Sequence, residues 1–239
     1  MLGTYVDTYT FHQTVDKIVT GIKLGSKIHH VCISAAKVVA MQTNTILKKS
    51  VLNADIISPD GQSIVFASKI LGKPLPERVS GIDLMEKLIQ ISFQQKLKIY
   101  FLGATQEVVQ EVVSRYRKEY GDKIIAGYRN GYFDKNQEHD IAKQISQSRA
   151  NILFVAMPSP KKEIFLHENK PYLENVNFIM GVGGSFDVIS GITRRAPLWM
   201  QKCGLEWFYR LIQEPKRMWK RYLIGNIKFI LLLIKEFFR

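Results

Sequence analysis

The sequence is short of cysteine, of acidic residues and of long apolar runs, and each shortage closes a class of protein. Two cysteines among 239 residues, Cys32 and Cys203, cannot build a disulfide framework. Neither sits in a CxxC or Cys/His spacing of the zinc-binding kind, so two free thiols in a reducing compartment are expected. Met1–Phe11 has neither a basic start nor an apolar stretch. No secretory leader is expected, and the chain reads as cytoplasmic. The C-terminal stretch is rich in apolar residues, yet its longest unbroken run, Phe229–Ile234, falls far short of the roughly 20 residues that span a bilayer. Acidic residues number 21 against 34 basic ones, a net charge of +13. Such an excess points to a polyanionic partner: nucleic acid, an anionic membrane or a phosphorylated substrate.

What is present narrows that choice. With 46% hydrophobic and 23% charged residues, 16 Gly and 8 Pro, the chain is neither disordered nor collagen-like. Its length suits one domain or two closely packed halves. Between Thr193 and Arg239 stand eleven basic residues against three acidic ones. They alternate with Trp207, Phe208, Leu211, Trp219, Leu223, Ile227, Phe229, Ile230, Leu233 and Phe237. Basic residues beside bulky apolar ones suit a helix lying in the interface of an anionic membrane. The competing reading is a C-terminal helix packed on the protein's own core. Nucleic-acid binding is disfavoured, because the basic residues form no polar stripe and no nucleic-acid motif appears.

Ahead of that segment, short β-rich runs alternate with longer amphipathic ones, the pattern of an α/β protein with a largely parallel sheet. Strands are expected at Tyr5–Asp7, His30–Ile33, Asp55–Ile57, Lys98–Leu102, Lys123–Ala126, Asn151–Val155 and Asn177–Met180. Helices are expected at Phe11–Leu24, Ala35–Lys49, Gln62–Leu71, Ile82–Gln94, Gln106–Tyr120, Gln137–Gln147 and Lys161–Asn169. Thr10, Ser80 and Thr105 suit helix starts, with Ser80 and Asp83 resembling a capping box, while Gly25, Gly72 and Gly121 suit helix ends. We divide the chain into an α/β unit, 1–192, and a basic amphipathic helical appendage, 193–239.

In such folds ligands bind beyond the carboxyl ends of the strands, so the residues just after each strand carry the chemistry. Asp60 follows one strand and precedes the next helix, where its carboxylate can serve as a general base or merely cap the helix Gln62–Leu71. Three glycines in Gly181-Val182-Gly183-Gly184-Ser185-Phe186-Asp187 let backbone N–H groups approach a diphosphate, or simply form a tight turn. Asp187 can accept hydrogen bonds from a ribose or base edge. Lys161 and Lys162 fall in a first helical turn, where the helix dipole disfavours cations, which suggests either a bound anion or a solvated pair. Arg78 precedes a helix start, placed to contact phosphate or sugar oxygens or to pair with Glu77 or Glu86.

These words, with Asn53-Ala54-Asp55 through Asp60-Gly61, Leu75-Pro76-Glu77-Arg78-Val79-Ser80-Gly81-Ile82-Asp83-Leu84, Arg194-Arg195-Ala196-Pro197-Leu198-Trp199-Met200-Gln201 and Glu214-Pro215-Lys216-Arg217, resemble the WecG/TagA/CpsF bacterial glycosyltransferases, glycosyltransferase family 26. The likeness runs from about Thr4 to Leu223. It implies a Rossmann-like sheet of the GT-E type and an inverting, metal-independent, cofactor-free transfer. A sugar such as N-acetylmannosamine or a related hexose or uronic sugar would move from a UDP-sugar to a polyprenyl-diphosphate-linked saccharide at the inner face of the cell membrane, in the synthesis of a surface polysaccharide. The resemblance casts Asp60 as the base, with Ser34 and Arg78 in the same catalytic pocket. It places Tyr132, Gly181, Gly183, Gly184, Phe186 and Asp187 at the nucleotide. Arg194, Arg195, Arg210, Arg217 and Arg221 would bind substrate, the last three by reaching the diphosphate when the appendage docks. The family's Thr-x-Asn is Ser34-Ala35-Ala36 in this chain, and its Pro-Lys-Gln-Glu is Pro160-Lys161-Lys162-Glu163. An amide has become the cation Lys162, which suggests an acidic sugar or a phosphate as its partner. These departures also motivate a second reading, a membrane-binding assembly factor with the fold but no activity. Neither a self-associating oligomer nor the polymer being built is fixed by the sequence.

Overall fold

Six short strands rich in β-branched and aromatic residues form one sheet: β1 (Ile28–Ile33), β2 (Ile56–Pro59), β3 (Ile99–Gly103), β4 (Ile125–Arg129), β5 (Ile152–Ala156) and β6 (Phe178–Gly181). Their order is β2-β1-β6-β5-β3-β4, and all five pairings are parallel. The computed structural model describes residues 2–238, without the side chains of Arg217, Lys220 and Arg221.

Helices cover both faces, so the strands are apolar on both sides. Cys32 of β1 joins the layer under the helices Phe11–Lys23, Gly81–Gln95 and Gln106–Tyr120, through Ile18, Leu88 and Val112. Its neighbours Val31 and Ile33 point the other way, to Val38, Leu47 and Ile64 of the helices Ala35–Met41, Thr45–Leu52 and Gln62–Ile70. A third cluster packs β3 and β5 against the helices Glu138–Gln147 and Lys161–Glu168. Thr10 and Thr105 cap their helices as expected, accepting from the N–H groups of Gln13 and Val108.

Three expectations are corrected. Ala35–Lys49 is two helices, because the Asn44 side chain accepts the Leu47 N–H at 2.8 Å and starts a second one. Tyr5–Asp7 forms no strand. It lies along the sheet edge, where the Asp7 N–H donates to the Ile57 carbonyl at 2.9 Å while the Asp7 carboxylate accepts the Ile57 N–H at 2.7 Å. The side chain thus takes a bond that a ladder partner would have used. Ser80 makes no side-chain cap bond to the backbone, and Asp83 is held by Arg195 as well as by the Ser80 side chain.

After β6 the chain forms the helices Ser185–Ile189, Leu198–Lys202 and Glu206–Gln213. Pro215–Trp219 then passes through a π-helical turn, Lys220–Ile224, into Gly225–Phe237. Phe229 is buried with the cluster around Val38 and Met41, and Leu232 and Leu233 pack beside it. Ile227, Ile230, Leu231, Ile234 and Phe237 remain exposed. One face of this helix covers the core, as the packed-helix reading expects, and the other is apolar and open. Among the described residues no helix is long and apolar enough to cross a membrane.

Candidate active site

Parallel strands bring all their carboxyl ends to one rim. Since β2, β1 and β6 are neighbours, that rim carries Asp60, Ser34 and the turn 181–184 in adjacent positions. Two strand spacings, about 10 Å, separate the ends of β2 and β6. Alternation along β2 puts Ile56 on the side of the helix Gly81–Gln95 and Ile57 on the other. Asp60 continues the Ile56 side.

The Asp60 backbone N–H donates to Ile33 at 2.8 Å, which fixes the residue at the end of the sheet. Its carboxylate accepts from the Gly81 N–H at 3.3 Å. The expected cap of the following helix is therefore wrong: Gly61 occupies that cap position, and Asp60 instead meets the start of Gly81–Gln95. A Cβ on Gly81 would lie 3.2 Å from Cys32 Sγ, 3.6 Å from Met180 Cε and 3.8 Å from Asp60 Oδ2. A side chain here would crowd Cys32, while the contacts to Met180 and Asp60 are ordinary van der Waals distances. Burial pushes the Asp60 carboxyl above its ordinary value, opposed by Arg78 and the Gly81 N–H and helped by Glu206. A raised carboxylate pKa makes a stronger base.

Arg78 is expected beside Glu77 or Glu86, but its Nη1 meets Glu206 Oε2. Glu77 is engaged elsewhere, accepting the Phe11 N–H at 2.6 Å. Arg195 binds Asp83 through two contacts, 2.6 and 2.8 Å, and its Nε lies 3.9 Å from Glu206 Oε1. Beside Arg78, the residues Phe11, His12, Glu77, Ser80 and Asp83 line an open cleft of about 350 Å³. Ser34 starts the helix Ala35–Met41 without a side-chain cap bond.

At the glycine turn, a Cβ on Gly184 would collide with the Arg210 guanidinium, whose Cζ would be 3.2 Å away. Glycine here lets an arginine of the C-terminal helices lie on the turn. Gly183 takes φ +55° with nothing within 4 Å, leaving its outer side open. Asp187 lies in the first turn of the helix Ser185–Ile189, and its carbonyl accepts from the Thr193 N–H at 3.0 Å. Phe186 corrects the expectation of a ligand contact: its ring is wholly buried against Phe101, centroids 5.9 Å apart, and serves the core.

Lys162 is not the solvated cation of the first reading. It is buried, and its Nζ lies 3.0 Å from Glu163 Oε1, which also pairs with Lys37 Nζ at 2.9 Å. Lys37 in turn donates to the Cys32 carbonyl at 2.7 Å. The Lys162 stem runs across Gly181, where a Cβ would be 2.7 Å from its Cε. Burial pulls the Lys162 ammonium down to about 8, while the two lysines overcome burial and hold the Glu163 carboxyl at about 2.

Tyr132 is exposed on the loop after β4, at the sheet edge opposite β2, and that loop folds back so that Gly131 donates to the Ala104 carbonyl. Arg194 is exposed and exchanges backbone bonds with the Gln213 side chain. The side chains of Arg217 and Arg221 lie outside the described residues. The roles of Glu206, Glu163, Lys37 and Gly81 escaped the sequence reading, since Arg78 and Glu206, like Lys37 and Glu163, are distant in the chain and Gly81 acts through its backbone N–H.

Residues 1–239 match the family model described as "Glycosyl transferase WecG/TagA/CpsF family". A Bacillus spizizenii protein described as N-acetylglucosaminyldiphosphoundecaprenol N-acetyl-beta-D-mannosaminyltransferase is 39% identical over 171 residues, 72% of this chain and 65% of its own length. A Bacillus subtilis protein of the same description is 39% identical over 184 residues, 77% of this chain and 70% of its own. The chain thus spans about two thirds of the length of these relatives.

Proposed function

Because the chain belongs to the WecG/TagA/CpsF glycosyl transferase family, we propose that it transfers a sugar from a UDP-sugar to a saccharide carried on a polyprenyl diphosphate, with inversion at the anomeric carbon. The relatives' printed description, which names a diphosphoundecaprenol-linked acceptor, supports the acceptor class. In this reading Asp60 takes the proton from the acceptor hydroxyl as that oxygen attacks the anomeric carbon. UDP leaves from the opposite face. The charge growing on the leaving diphosphate needs fixed donors. The turn 181–184 and the Arg210 guanidinium lying on it are the candidates. The observation that carries the reading is the Asp60 carboxylate, partly buried and held by a helix N–H, on the same rim as that turn.

The open cleft beside Arg78 suits a sugar, with Ser80 and Asp83 as polar partners in its wall. The exposed apolar face of Gly225–Phe237, together with exposed Leu198, Trp199 and Trp219, suits docking on an anionic membrane where a lipid-linked acceptor resides. Residues 193–239 are then the part that brings the lipid substrate to the α/β unit.

Asp60→Asn preserves shape and removes the base. Release of UDP from a panel of UDP-sugars, with a short-chain diphosphate-linked acceptor, should fall by about 10²- to 10⁴-fold while UDP binding persists. Turnover at the wild-type level in Asp60→Asn would refute the base assignment. Vesicle binding without turnover for any donor, in the unaltered protein, would instead favour the assembly-factor reading.

A further inference from the structure

Two cations work against the role of Asp60: Lys37, and more strongly Arg78, which the bond from the Val79 N–H to the Pro59 carbonyl at 2.9 Å holds beside it. The Arg78 guanidinium favours the ionised carboxylate, and on its own would leave a weaker base. The obvious counter-ion, Glu77, is taken by the Phe11 N–H. The carboxylate that meets Arg78 comes from the C-terminal helices, 128 residues away: Glu206, the first residue of Glu206–Gln213. That pair is largely shielded, with side-chain exposure of 17% at Arg78 and 34% at Glu206. Arg195 approaches the same carboxylate and binds Asp83, on the first turn of the helix whose N–H holds Asp60.

We propose that Glu206 is a positioning residue for the base: by engaging Arg78 it keeps that cation from neutralising the Asp60 carboxylate, so the site is complete only when the helix Glu206–Gln213 is seated. The proposal rests on the base reading of Asp60. It adds a coupling between the C-terminal helices and proton affinity at the reaction centre. The charged and titratable groups around Asp60 are Arg78 before the helix Gly81–Gln95, Lys37 on the helix Ala35–Met41, Cys32 on β1 and Glu206 on the C-terminal side. Of these, Glu206 opposes Arg78 and sits on an element that joins the α/β unit from the far end of the chain. Seating is further supported by Gly204 lying against Gln62, where a Cβ would be 2.9 Å from the Gln62 Cβ.

Glu206→Gln removes the charge while keeping the length and a polar contact. The test follows the Asp60 side-chain carboxyl directly, by carbon-detected NMR titration of the full chain, with the resonance assigned by its loss in Asp60→Asn. Glu206→Gln should move the Asp60 midpoint to lower pH, and Glu206→Asp should restore part of the shift. In an Arg78→Gln background the effect of Glu206→Gln should shrink, because the cation it unmasks is gone. In the coupled UDP-release assay the acidic limb of the pH profile should move down with the titration, with a several-fold fall in kcat and little change in KM. An unmoved Asp60 midpoint in folded Glu206→Gln would overturn the proposal whatever the activity. Full turnover in Asp60→Asn would instead overturn the base reading and leave the titration result standing, so the two failures are distinct.

Discussion

The helices Gly81–Gln95 and Gly225–Phe237 differ little in length, 15 residues against 13, and both carry apolar residues at helical spacing. In the first, Leu84, Met85, Leu88 and Ile89 are buried, while in the second Phe229 alone is. The difference extends to charge. The helices beside the sheet hide even ionic groups, Lys37, Glu163 and Lys162, whereas the C-terminal helices expose Trp207, Phe208, Trp219 and Phe237. Spacing sets which residues share a face, and tertiary context decides whether that face is covered. A row of exposed apolar side chains on a folded helix is a surface that a binding test can assign.

Glu163→Gln tests the hidden half of that contrast and should have the largest effect on stability. It leaves two buried ammonium groups without their carboxylate, a loss of about 3–5 kcal/mol. Chemical denaturation at neutral pH reads it. The sign follows from linkage: a carboxyl held at about 2 stabilises the fold above its ordinary value of 4.5, and that gain is lost as pH falls between the two. The gap between wild type and Glu163→Gln should therefore narrow in acid. A penalty that stayed constant there would mean that packing, and not charge, is what the carboxylate supplies.

Phe229→Ala probes the residue where the two regions meet. A Phe buried to 4% in the cluster with Val31, Ile33 and Val38 should cost about 3 kcal/mol when truncated, and the denaturant midpoint measures it. A loss under about 0.5 kcal/mol, the range of ordinary surface substitutions, would show that the helix does not pack on the core as drawn.

The sheet was readable because short, nearly continuous apolar runs bounded by glycine and polar turns permit few alternatives, and six of the seven expected strands needed only shifts of a few residues. Tyr5–Asp7 misled because an aspartate side chain imitates a ladder bond. Asp60 was found by its place after a strand, yet its partner was not, since Gly81 contributes a backbone N–H that no side-chain pattern announces. Lys162 was open to a solvated reading because an exposed charge in a first helical turn costs little; only the fold shows it buried on Glu163, which Lys37 shares. Glu206 with Arg78 was invisible for a similar reason: opposite charges 128 residues apart carry no local signature.

The smallest expected effect on stability is the sharpest test of the exposed half. Ile230 and Leu231, at 53% and 60% exposure, bury little apolar surface, so Ile230→Ser with Leu231→Ser should move the unfolding midpoint by no more than about 0.5 kcal/mol each. If the open face docks on lipid, the same pair should weaken binding to anionic vesicles, since each lost side chain removes about 1.5–3 kcal/mol of burial there. Sedimentation with vesicles of phosphatidylglycerol reads this directly, and vesicles of neutral lipid separate the apolar share from the electrostatic one. Unchanged vesicle binding would return this face to an unassigned surface. A large fall in stability would show instead that these residues belong with Phe229, and that the contrast between the two helices is smaller than their exposure suggests.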